Sequence, residues 1–176
     1  MQRGKEWCAL KLLIFSDSHG ELSHMRYAID REKPDYVFHL GDHDRDAEDL
    51  MRDYPTLPLV YVRGNCDGFS DTPLTRIVTL GGFRFFLCHG HTLGVKGGLL
   101  RACYAAREQR ADFLLYGHTH VPDWKRDKSG VLCCNPGSIS IPKEGSWHGY
   151  LLLTGRELLW KTLEGEIRHR EVLGAK

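Results

Sequence analysis

Two residues with metal-binding side chains, Asp17 and His19, directly follow an apolar run in the segment 12–20. A run of this kind, ended by turn residues, is typical of a strand buried on both faces of a sheet. In an extended chain, residues i and i+2 project to the same side roughly 6–7 Å apart, so both side chains could reach one small object beyond the strand end. An oxygen ligand beside a nitrogen ligand suits a divalent metal ion. Alternatively, Asp17 caps the next helix and His19 faces solvent, and this segment alone does not decide between the two.

The same pattern recurs at the ends of four further apolar runs. These runs end in Asp42, in Asn65, in His89, and in the pair His118 and His120. In an open α/β sheet, ligands gather beyond the carboxyl ends of the strands, so residues far apart in sequence would meet at one rim. Glycine lies next to most of these positions, which lets the backbone turn and approach closely. The repetition favours a metal site over a series of helix caps and surface polar residues.

These histidines, aspartates and the asparagine are more donors than a single zinc site uses. They suit two ions that share one carboxylate, and Asp42 is the expected bridge because it comes from a central strand. Two ions about 3.5–4 Å apart activate a water molecule and hold a phosphoryl group during in-line displacement. No Ser-His-Asp or Cys-His dyad, GxGxxG motif or P-loop stands out as a rival. The sequence therefore predicts hydrolysis by a hydroxide held between two metal ions.

The composition is that of an ordinary globular protein. The chain has 176 residues, of which 41% are hydrophobic and 27% charged, and we expect one domain over residues 1–176. The formal net charge is +1 with scattered basic residues, which argues against a dedicated nucleic-acid surface. No apolar run has the length of a membrane span. Lys11 interrupts the short apolar stretch near the N-terminus, so we expect no signal peptide.

The cysteines show neither a CxxC pair nor zinc-finger spacing. They are Cys8, Cys66, Cys88, Cys103, Cys133 and Cys134. Three of them lie within apolar runs, where a free cysteine behaves as a small buried hydrophobic residue. We therefore expect reduced thiols and a cytoplasmic protein.

The elements that would position the donors alternate between strands and helices. Strands are predicted over residues 12–15, 36–40, 59–62, 75–80, 83–87, 113–116 and 131–134, and helices over residues 21–31, 47–53 and 97–110. A strand, a helix and a strand within about thirty residues form a βαβ unit with parallel pairing. Residues 43–46 are predicted to be a loop, and residues 135–138 a turn that ends a strand. Three short strands within residues 150–172 predict an antiparallel meander that covers one side of the molecule.

Five segments resemble, in this order, the motifs of the calcineurin-like metallophosphoesterase family. They are Asp17-x-His19, Gly41-Asp42, Gly64-Asn65-Cys66-Asp67, His89-Gly90 and Gly117-His118-Thr119-His120. The segment Asn135-Pro136-Gly137-Ser138, followed by Ile141-Pro142-Lys143, is similar to the small prokaryotic phosphodiesterase branch of that family. The likeness spans residues 10–153. It implies an α/β fold, a four-layer αββα sandwich of two mixed β-sheets.

The resemblance also implies ligands, a cofactor and a substrate. Asp17, His19, Asp42 and His120 would hold one divalent ion, and Asp42, Asn65, His89 and His118 would hold the other. Manganese is the expected metal, with iron, nickel or zinc as alternatives. The substrate would be a small phosphodiester, and a homo-oligomer is an open alternative to a monomer.

Two positions depart from the family pattern. Many members have a histidine after the Gly-Asn pair, thought to protonate the leaving group, and here Cys66 takes that place. A thiol suits this role only with a shifted pKa, so His91 and His43 are alternative acids. Arg45 occupies the place of an acid expected three residues after Asp42.

Several other residues have less specific expected roles. His39 is expected to lie in the core or behind a ligand, and Arg63 to contact phosphate or to pair with Asp46 or Asp67. The remaining predictions are surface positions for His24, His148 and His169, and core or interface positions for Trp147 and Tyr150.

Two other functions compete with phosphodiester hydrolysis. The first is a non-catalytic protein-binding scaffold, since a retromer subunit resembles the same branch. Every expected ligand position is filled here, and a buried polar cluster without a function would be costly. The second is a nuclease, against which the lack of a basic stripe argues.

Overall fold

The computed structural model describes residues 10–174, in which eleven strands and three α-helices are formed. The strands are β1 (Lys11–Phe15), β2 (Tyr36–His39), β3 (Leu59–Tyr61), β4 (Thr75–Leu80), β5 (Phe83–Cys88), β6 (Phe113–Leu115), β7 (Pro122–Arg126), β8 (Leu132–Pro136), β9 (Gly149–Thr154), β10 (Glu157–Thr162) and β11 (Ile167–Val172). The helices are α1 (Leu22–Glu32), α2 (Asp44–Asp53) and α3 (Leu100–Glu108). Cys8 lies outside the described residues.

The strands form two mixed sheets, as predicted. The first has the order β11-β10-β9-β1-β2-β3, in which β1, β2 and β3 are parallel and β9 to β11 form an antiparallel meander. The second has the order β4-β5-β6-β8-β7, with β5, β6 and β8 parallel. The parallel strands are central in the second sheet and occupy one side of the first, where β3 is the edge strand. Within each sheet the carboxyl ends of the parallel strands lie at the same end.

Successive side chains of β1 point to opposite faces of the first sheet and pack in different layers. Leu12 and Ile14 belong to the apolar cluster between the two sheets, where Phe85 also packs. Leu13 and Phe15 point to the opposite face and pack in a second cluster with residues of α1 and α2. A third cluster joins the outer face of the second sheet to α3. The predicted four-layer αββα sandwich is confirmed.

Several predicted boundaries were wrong. Helix α2 begins at Asp44, so most of the predicted loop 43–46 is its first turn, where Asp44 and Asp46 complement the helix dipole. Helix α3 begins only at Leu100, because two short 3₁₀ turns precede it. Strand β8 extends two residues into the predicted turn, to Pro136, and strand β7 was missed. The predicted antiparallel meander is confirmed, and it extends the first sheet beside β1.

Two further observations on the described residues concern the state of the cysteines and the length of the helices. Cys66, Cys88, Cys103, Cys133 and Cys134 are free thiols. Within residues 10–174, no helix combines the length and apolar character needed to cross a bilayer.

Candidate metal centre

The loops that follow the parallel strands of both sheets are hydrogen-bonded to one another. The N–H of Asp17, after β1, donates to the carbonyl of Gly41, after β2 (3.0 Å). The N–H of His118, after β6, donates to Oδ2 of Asp17 (3.1 Å). The N–H of Gly117 donates to the carbonyl of His89, after β5 (3.1 Å). The strand ends of the two sheets therefore form one continuous rim.

A first group of donors consists of Asp17, His19, Asp42 and His120, whose ligand atoms all lie within 4.8 Å of one another. Oδ1 of Asp17 lies 3.1 Å from Nε2 of His120. Nε2 of His19 lies 3.7 Å from Oδ2 of Asp42 and 3.4 Å from Nε2 of His120. These four donors face one small volume.

A second group consists of Asp42, His89 and His118, again with ligand atoms within 4.8 Å of one another. Nε2 of His89 lies 3.3 Å from Oδ1 of Asp42 and 3.2 Å from Oδ1 of Asn65. The amide of Asn65 therefore lies beside this group, although the residue is exposed. Asp42 belongs to both groups. The structure thus brings together all seven residues that were predicted as metal ligands.

The backbone at these positions differs from the geometry assumed from the sequence. Asp17 (φ 55°) and His19 (φ 46°) are in the left-handed region, as are Asp42 (58°), His118 (67°) and His120 (61°). The extended i, i+2 arrangement assumed for Asp17 and His19 is therefore wrong. Such conformations cost about 1–3 kcal/mol each and cluster at functional sites. The two side chains converge because the chain turns sharply at each of them.

Two glycines allow the loops to approach closely enough. A Cβ on Gly64 would overlap Oδ1 and the backbone of Asp42. A Cβ on Gly117 would overlap the hydroxyl of Ser16 and lie 2.8 Å from Oδ2 of Asp17. At both positions, any side chain would displace a carboxylate of the first group.

Backbone carbonyls orient two of the histidines. Nδ1 of His120 donates to the carbonyl of Ile141 (2.7 Å), and Nδ1 of His89 donates to that of Leu40 (2.9 Å). Because a carbonyl oxygen only accepts, Nδ1 carries a proton in both rings, and Nε2 is the nitrogen that faces the carboxylates. This is the usual arrangement of a metal-binding histidine.

A relay behind the donors holds the loop after β1. Nε2 of the buried His39 donates to the hydroxyl of Ser18 (2.9 Å), which donates to Oδ2 of Asp46 (2.6 Å). The N–H of Gly20 donates to the same carboxylate oxygen (2.8 Å). His39 thus lies behind the ligand groups and positions residues 18–20.

Burial and neighbouring charges set the protonation states at the centre. Burial alone would raise the pKa of Asp42, but the hydrogen bond and positive charge of His89 outweigh it and hold that pKa well below its usual range. The pKa of Asp17 is also lowered, because its contact with His120 and the charge of His89 outweigh burial. Burial, followed by the charge of His89, lowers the pKa of His118 to about 4. At neutral pH both carboxylates are ionised and His118 is neutral, as metal ligands must be.

The three candidate acids lie in different places. The thiol of Cys66 donates to Oδ2 of Asp42 (3.4 Å), and burial together with that negative charge raises its pKa to about 11. The ring of His91 lies 5.4 Å from that of His89, and its buried Nδ1 has no hydrogen-bond partner among the described residues. His43 is paired with Asp46 (3.0 Å). Cys66 and His91 therefore both border the second group, whereas His43 is held by the relay.

The remaining predicted residues occupy varied positions. Arg63 donates to the carbonyl of Ser70 (2.7 Å) rather than to an aspartate. His169 is partly buried because it stacks on Trp124, with ring centroids 4.1 Å apart. Tyr150 is fully buried, as predicted. Trp147 is half-buried, and of the two other predicted surface histidines, His148 is exposed and His24 half-buried.

Two clefts open beside the candidate metal centre, and neither was predicted. The acidic cleft, of ≈ 830 Å³, is lined by Asp44, Arg45, Cys66, Asp67, Phe69 and Asp71 among others. The lysine cleft, of ≈ 790 Å³, is lined by Lys96, Tyr116, Thr119, Lys125, Lys143 and Glu144 among others. The only sequence signal for the lysine cleft is Lys96 within the glycine-rich segment 94–98.

Comparison with known proteins identifies relatives over most of the chain. A model of the calcineurin-like phosphoesterase superfamily domain matches residues 10–157. The probable metallophosphoesterase YsnB of Bacillus subtilis is 34% identical over 148 residues, which cover 82% of this chain and 84% of that protein. The phosphodiesterase YfcE of Escherichia coli is 37% identical over 103 residues, 54% of this chain and 52% of that protein.

Solved structures extend the likeness to the whole fold. The structure of YfcE, described as a phosphoesterase, has a TM-score of 0.74 at 26% identity and covers 94% of this chain and 100% of its own. Vacuolar protein sorting 29 of Cryptosporidium parvum has a TM-score of 0.72 at 19% identity and covers 93% of this chain and 98% of its own. At that identity the second likeness shows the fold alone.

Proposed function

The chain belongs to the calcineurin-like phosphoesterase superfamily, and from this premise we propose that it is a phosphodiesterase that uses two divalent metal ions. We propose manganese as the metal, a small phosphodiester as the substrate and the cytoplasm as the location. One observation carries the proposal: two groups of oxygen and nitrogen donors overlap at a single carboxylate, Asp42.

The donors fit metal ions. Oδ1 of Asp17 is buried and accepts no well-aligned hydrogen bond from the described residues, although Nε2 of His120 lies 3.1 Å away. Such an oxygen is costly unless a cation or donor satisfies it. Carboxylate, amide and imidazole groups together suit manganese, iron, nickel or zinc. The proposed ligands are Asp17, His19, Asp42 and His120 for one ion, and Asp42, Asn65, His89 and His118 for the other.

When bound, the two ions would supply an activated water for in-line attack on phosphorus and positive charge for the phosphoryl oxygens. The chain's own residues would then orient the substrate and supply a proton to the leaving group. Asn65 is exposed at the rim, and its Nδ2 donates one hydrogen bond to Sγ of Cys66 (3.4 Å), so its second N–H could donate to a phosphoryl oxygen.

Cys66 and His91 are the proposed sources of that proton. A thiol with a pKa of about 11 keeps its proton at neutral pH but releases it poorly. We therefore expect substrates with good leaving groups to be preferred. His91 is the alternative, since its Nδ1 has no other partner in the described structure.

The test is hydrolysis of bis(p-nitrophenyl) phosphate by protein loaded separately with manganese, iron, nickel or zinc. We expect activity that manganese stimulates and that a chelator abolishes. Hydrolysis that is absent with every metal, or that persists unchanged after complete chelation, would contradict the proposal.

Each of the two alternative functions predicts a different experimental result. A non-catalytic scaffold is supported by the fold shared with vacuolar protein sorting 29, but scaffolding does not require seven converging donors. The scaffold predicts tight metal binding without hydrolysis of any diester. A nuclease predicts DNA binding that weakens steeply with salt, because phosphate contacts release counterions.

A further inference from the structure

The lysine cleft borders the loop that carries two of the candidate metal ligands. Thr119, which lines the cleft, lies between His118 and His120 in the chain. Lys96 and Lys143 line the same cleft, so a molecule that fills it beside this loop would meet both lysines. What these two lysines do is not explained by the metal centre itself.

Lys96 is held in place by its neighbour. The side chain of Val95 is buried in the cluster under α3, and its N–H donates to the carbonyl of Gly90 (3.3 Å). A Cβ on Gly90 would lie only 2.7 Å from Cγ2 of Val95, so the two segments are tightly packed. The backbone of Lys96 is thereby fixed next to residues 89–91, and its exposed side chain lies on the lining of the cleft.

The backbone of Lys143 is fixed to a different candidate ligand, His120. Its N–H donates to the carbonyl of His120 (3.2 Å), and Nδ1 of His120 donates to the carbonyl of Ile141 (2.7 Å). The hydroxyl of Ser146 also donates to the carbonyl of His120 (3.3 Å). Segment 141–146, which includes Lys143, is therefore hydrogen-bonded to a candidate metal ligand.

The charges of the cleft leave these two ammonium groups uncompensated. Within residues 10–174, no ion pair joins Lys96 or Lys143 to an acidic side chain. Lys125 differs, because its ammonium pairs with Asp123 (3.2 Å). Glu144 is the remaining acid on the lining. Two free positive charges therefore face one negative charge next to the metal centre.

The acidic cleft has the opposite balance. Its lining carries the acids Asp44, Glu48, Asp67 and Asp71 against the arginines Arg45 and Arg76. An anionic part of a substrate is repelled there and attracted to the lysine cleft, whereas an uncharged part can occupy either side. The difference in charge between the two clefts thus favours one orientation of the substrate, with an anionic group in the lysine cleft.

We propose that the lysine cleft binds a second phosphate group of the substrate, through Lys96 and Lys143. Preferred substrates are then phosphodiesters that carry a further phosphate on the arm that enters this cleft. The inference rests on the proposed phosphodiesterase function, but it concerns recognition and adds no chemical step.

The test compares two substrates that differ by one phosphate: thymidine 5′-(p-nitrophenyl phosphate) and the same compound phosphorylated at the 3′ position. We expect kcat/KM to be about tenfold higher for the 3′-phosphorylated compound, since each partly exposed charge pair contributes a few-fold. In Lys96→Gln and Lys143→Gln the ratio is expected to fall to about two- to threefold, and in the double variant to about one.

Two further variants separate the subsite from a general charge effect. Lys125→Gln removes a lysine of the same cleft that is paired with Asp123, and should keep the wild-type ratio. Glu144→Gln removes the opposing acid and should raise the ratio about twofold. A wild-type ratio near one, or a ratio that Lys125→Gln lowers as much as Lys96→Gln does, would overturn the inference.

A binding measurement keeps this inference distinct from the proposed function. Thymidine 3′,5′-bisphosphate and thymidine 5′-monophosphate are titrated calorimetrically into the metal-loaded protein. Tighter binding of the bisphosphate that is lost in the double variant supports the subsite, even if neither diester is hydrolysed and the proposed function fails. Equal binding of the two compounds rejects the subsite, whether or not the diesters are hydrolysed.

Discussion

Asp42 is held by donors from two other loops. The N–H of Cys66 donates to its Oδ1 (2.9 Å) and the thiol of Cys66 to its Oδ2 (3.4 Å), while Nε2 of His89 lies 3.3 Å from Oδ1. The carboxylate is therefore fixed between the two donor groups before any ion binds. Preorganisation of this kind reduces the cost of assembling a metal site.

Replacing Asp42 by asparagine removes the shared charge with little change in shape. We expect the bound metal to fall from two ions per chain to one or none, and hydrolysis to fall at least about a hundredfold, because a lost ligand costs more than a lost supporting contact. Metal content by mass spectrometry and hydrolysis of the aryl diester measure both effects. Asp30→Asn, an exposed change on α1, is the control. Near-normal turnover in the Asp42 variant would contradict its bridging role.

Cys66 allows the proton-donor assignment to be tested. Cys66→His introduces an acid with a pKa near neutrality, so we expect unchanged metal content and a rate with poorly activated alkyl diesters that rises about tenfold relative to aryl diesters. Cys66→Ser, which offers no better acid, is the matched comparison. If the histidine variant leaves the alkyl-to-aryl ratio unchanged, the leaving group takes its proton from another residue, with His91 next to be tested.

Gly64 offers a steric test of the approach between two loops. Gly64→Ala places a Cβ against the carboxylate and backbone of Asp42, whereas Gly68→Ala, in the same loop, meets nothing within 4 Å. We expect Gly64→Ala to weaken metal binding at least about tenfold and to lower the free energy of unfolding by about 1–3 kcal/mol, as overpacking does. Gly68→Ala should change neither quantity in metal titration and urea unfolding. Equal behaviour of the two variants would show that Gly64 is not needed for the close approach.

At the scale of elements, helix α1 is tied to the meander of the first sheet by a largely buried polar cluster. Oε1 of Glu32, at the end of α1, accepts hydrogen bonds from the hydroxyl of Tyr150 in β9 (2.7 Å) and from Lys161 in β10. The carboxylate is thus satisfied by two neighbouring strands. Burial opposes its ionisation, but these hydrogen bonds outweigh burial and lower the pKa of Glu32.

Glu32→Gln should therefore reduce stability in a pH-dependent way. A carboxyl with a lowered pKa in the folded protein stabilises it above the unfolded pKa of about 4.3, and this contribution is lost as the pH falls through the folded value. We expect the variant to lose about 1–2 kcal/mol at pH 7 and clearly less at pH 3. Urea unfolding at both pH values measures the difference. A loss of stability that is the same at pH 3 and pH 7 would mean that the charge of Glu32 contributes nothing.

At the scale of the whole molecule, the two sheets meet at the candidate metal centre. Asp17, Asp42 and Asn65 follow strands of the first sheet, whereas His89 and His118 follow strands of the second. An ion held by the second group would contact both sheets at once. Metal binding is therefore expected to stabilise the packing of the sandwich as well as the site.

Chelation should lower the melting temperature of the whole protein. With metal at about one hundred times its dissociation constant, binding contributes about 2.7 kcal/mol to the folded state. For a chain of this size that corresponds to a shift of about 5–10 °C. Differential scanning calorimetry with manganese and with a chelator measures the shift, and the asparagine variant of Asp42 should show little of it. Identical melting curves for the wild-type protein in both conditions would mean that no structurally coupled metal binds.

By itself the sequence determined the elements and the candidate donors. The strands at 12–15, 36–40 and 113–116 were predicted to within about two residues, because a strand buried on both faces must be apolar along its whole length. Strand β7 was missed because its side chains are mostly exposed and its pairing with β8 depends on backbone hydrogen bonds. The donors could be grouped because parallel strands end at a common edge.

Only the tertiary structure decided how these donors face one another. The sharp turns at Asp17 and His19 could not be foreseen from local sequence. The hydrogen bond from His118 to Asp17 joins loops 101 residues apart, and His120 is oriented by Ile141, 21 residues further along the chain. The presence of Lys96 and Lys143 on the lining of one cleft depends on the same packing. Local sequence specifies which side chains follow each strand, but their separations follow from the way two sheets pack around a common core.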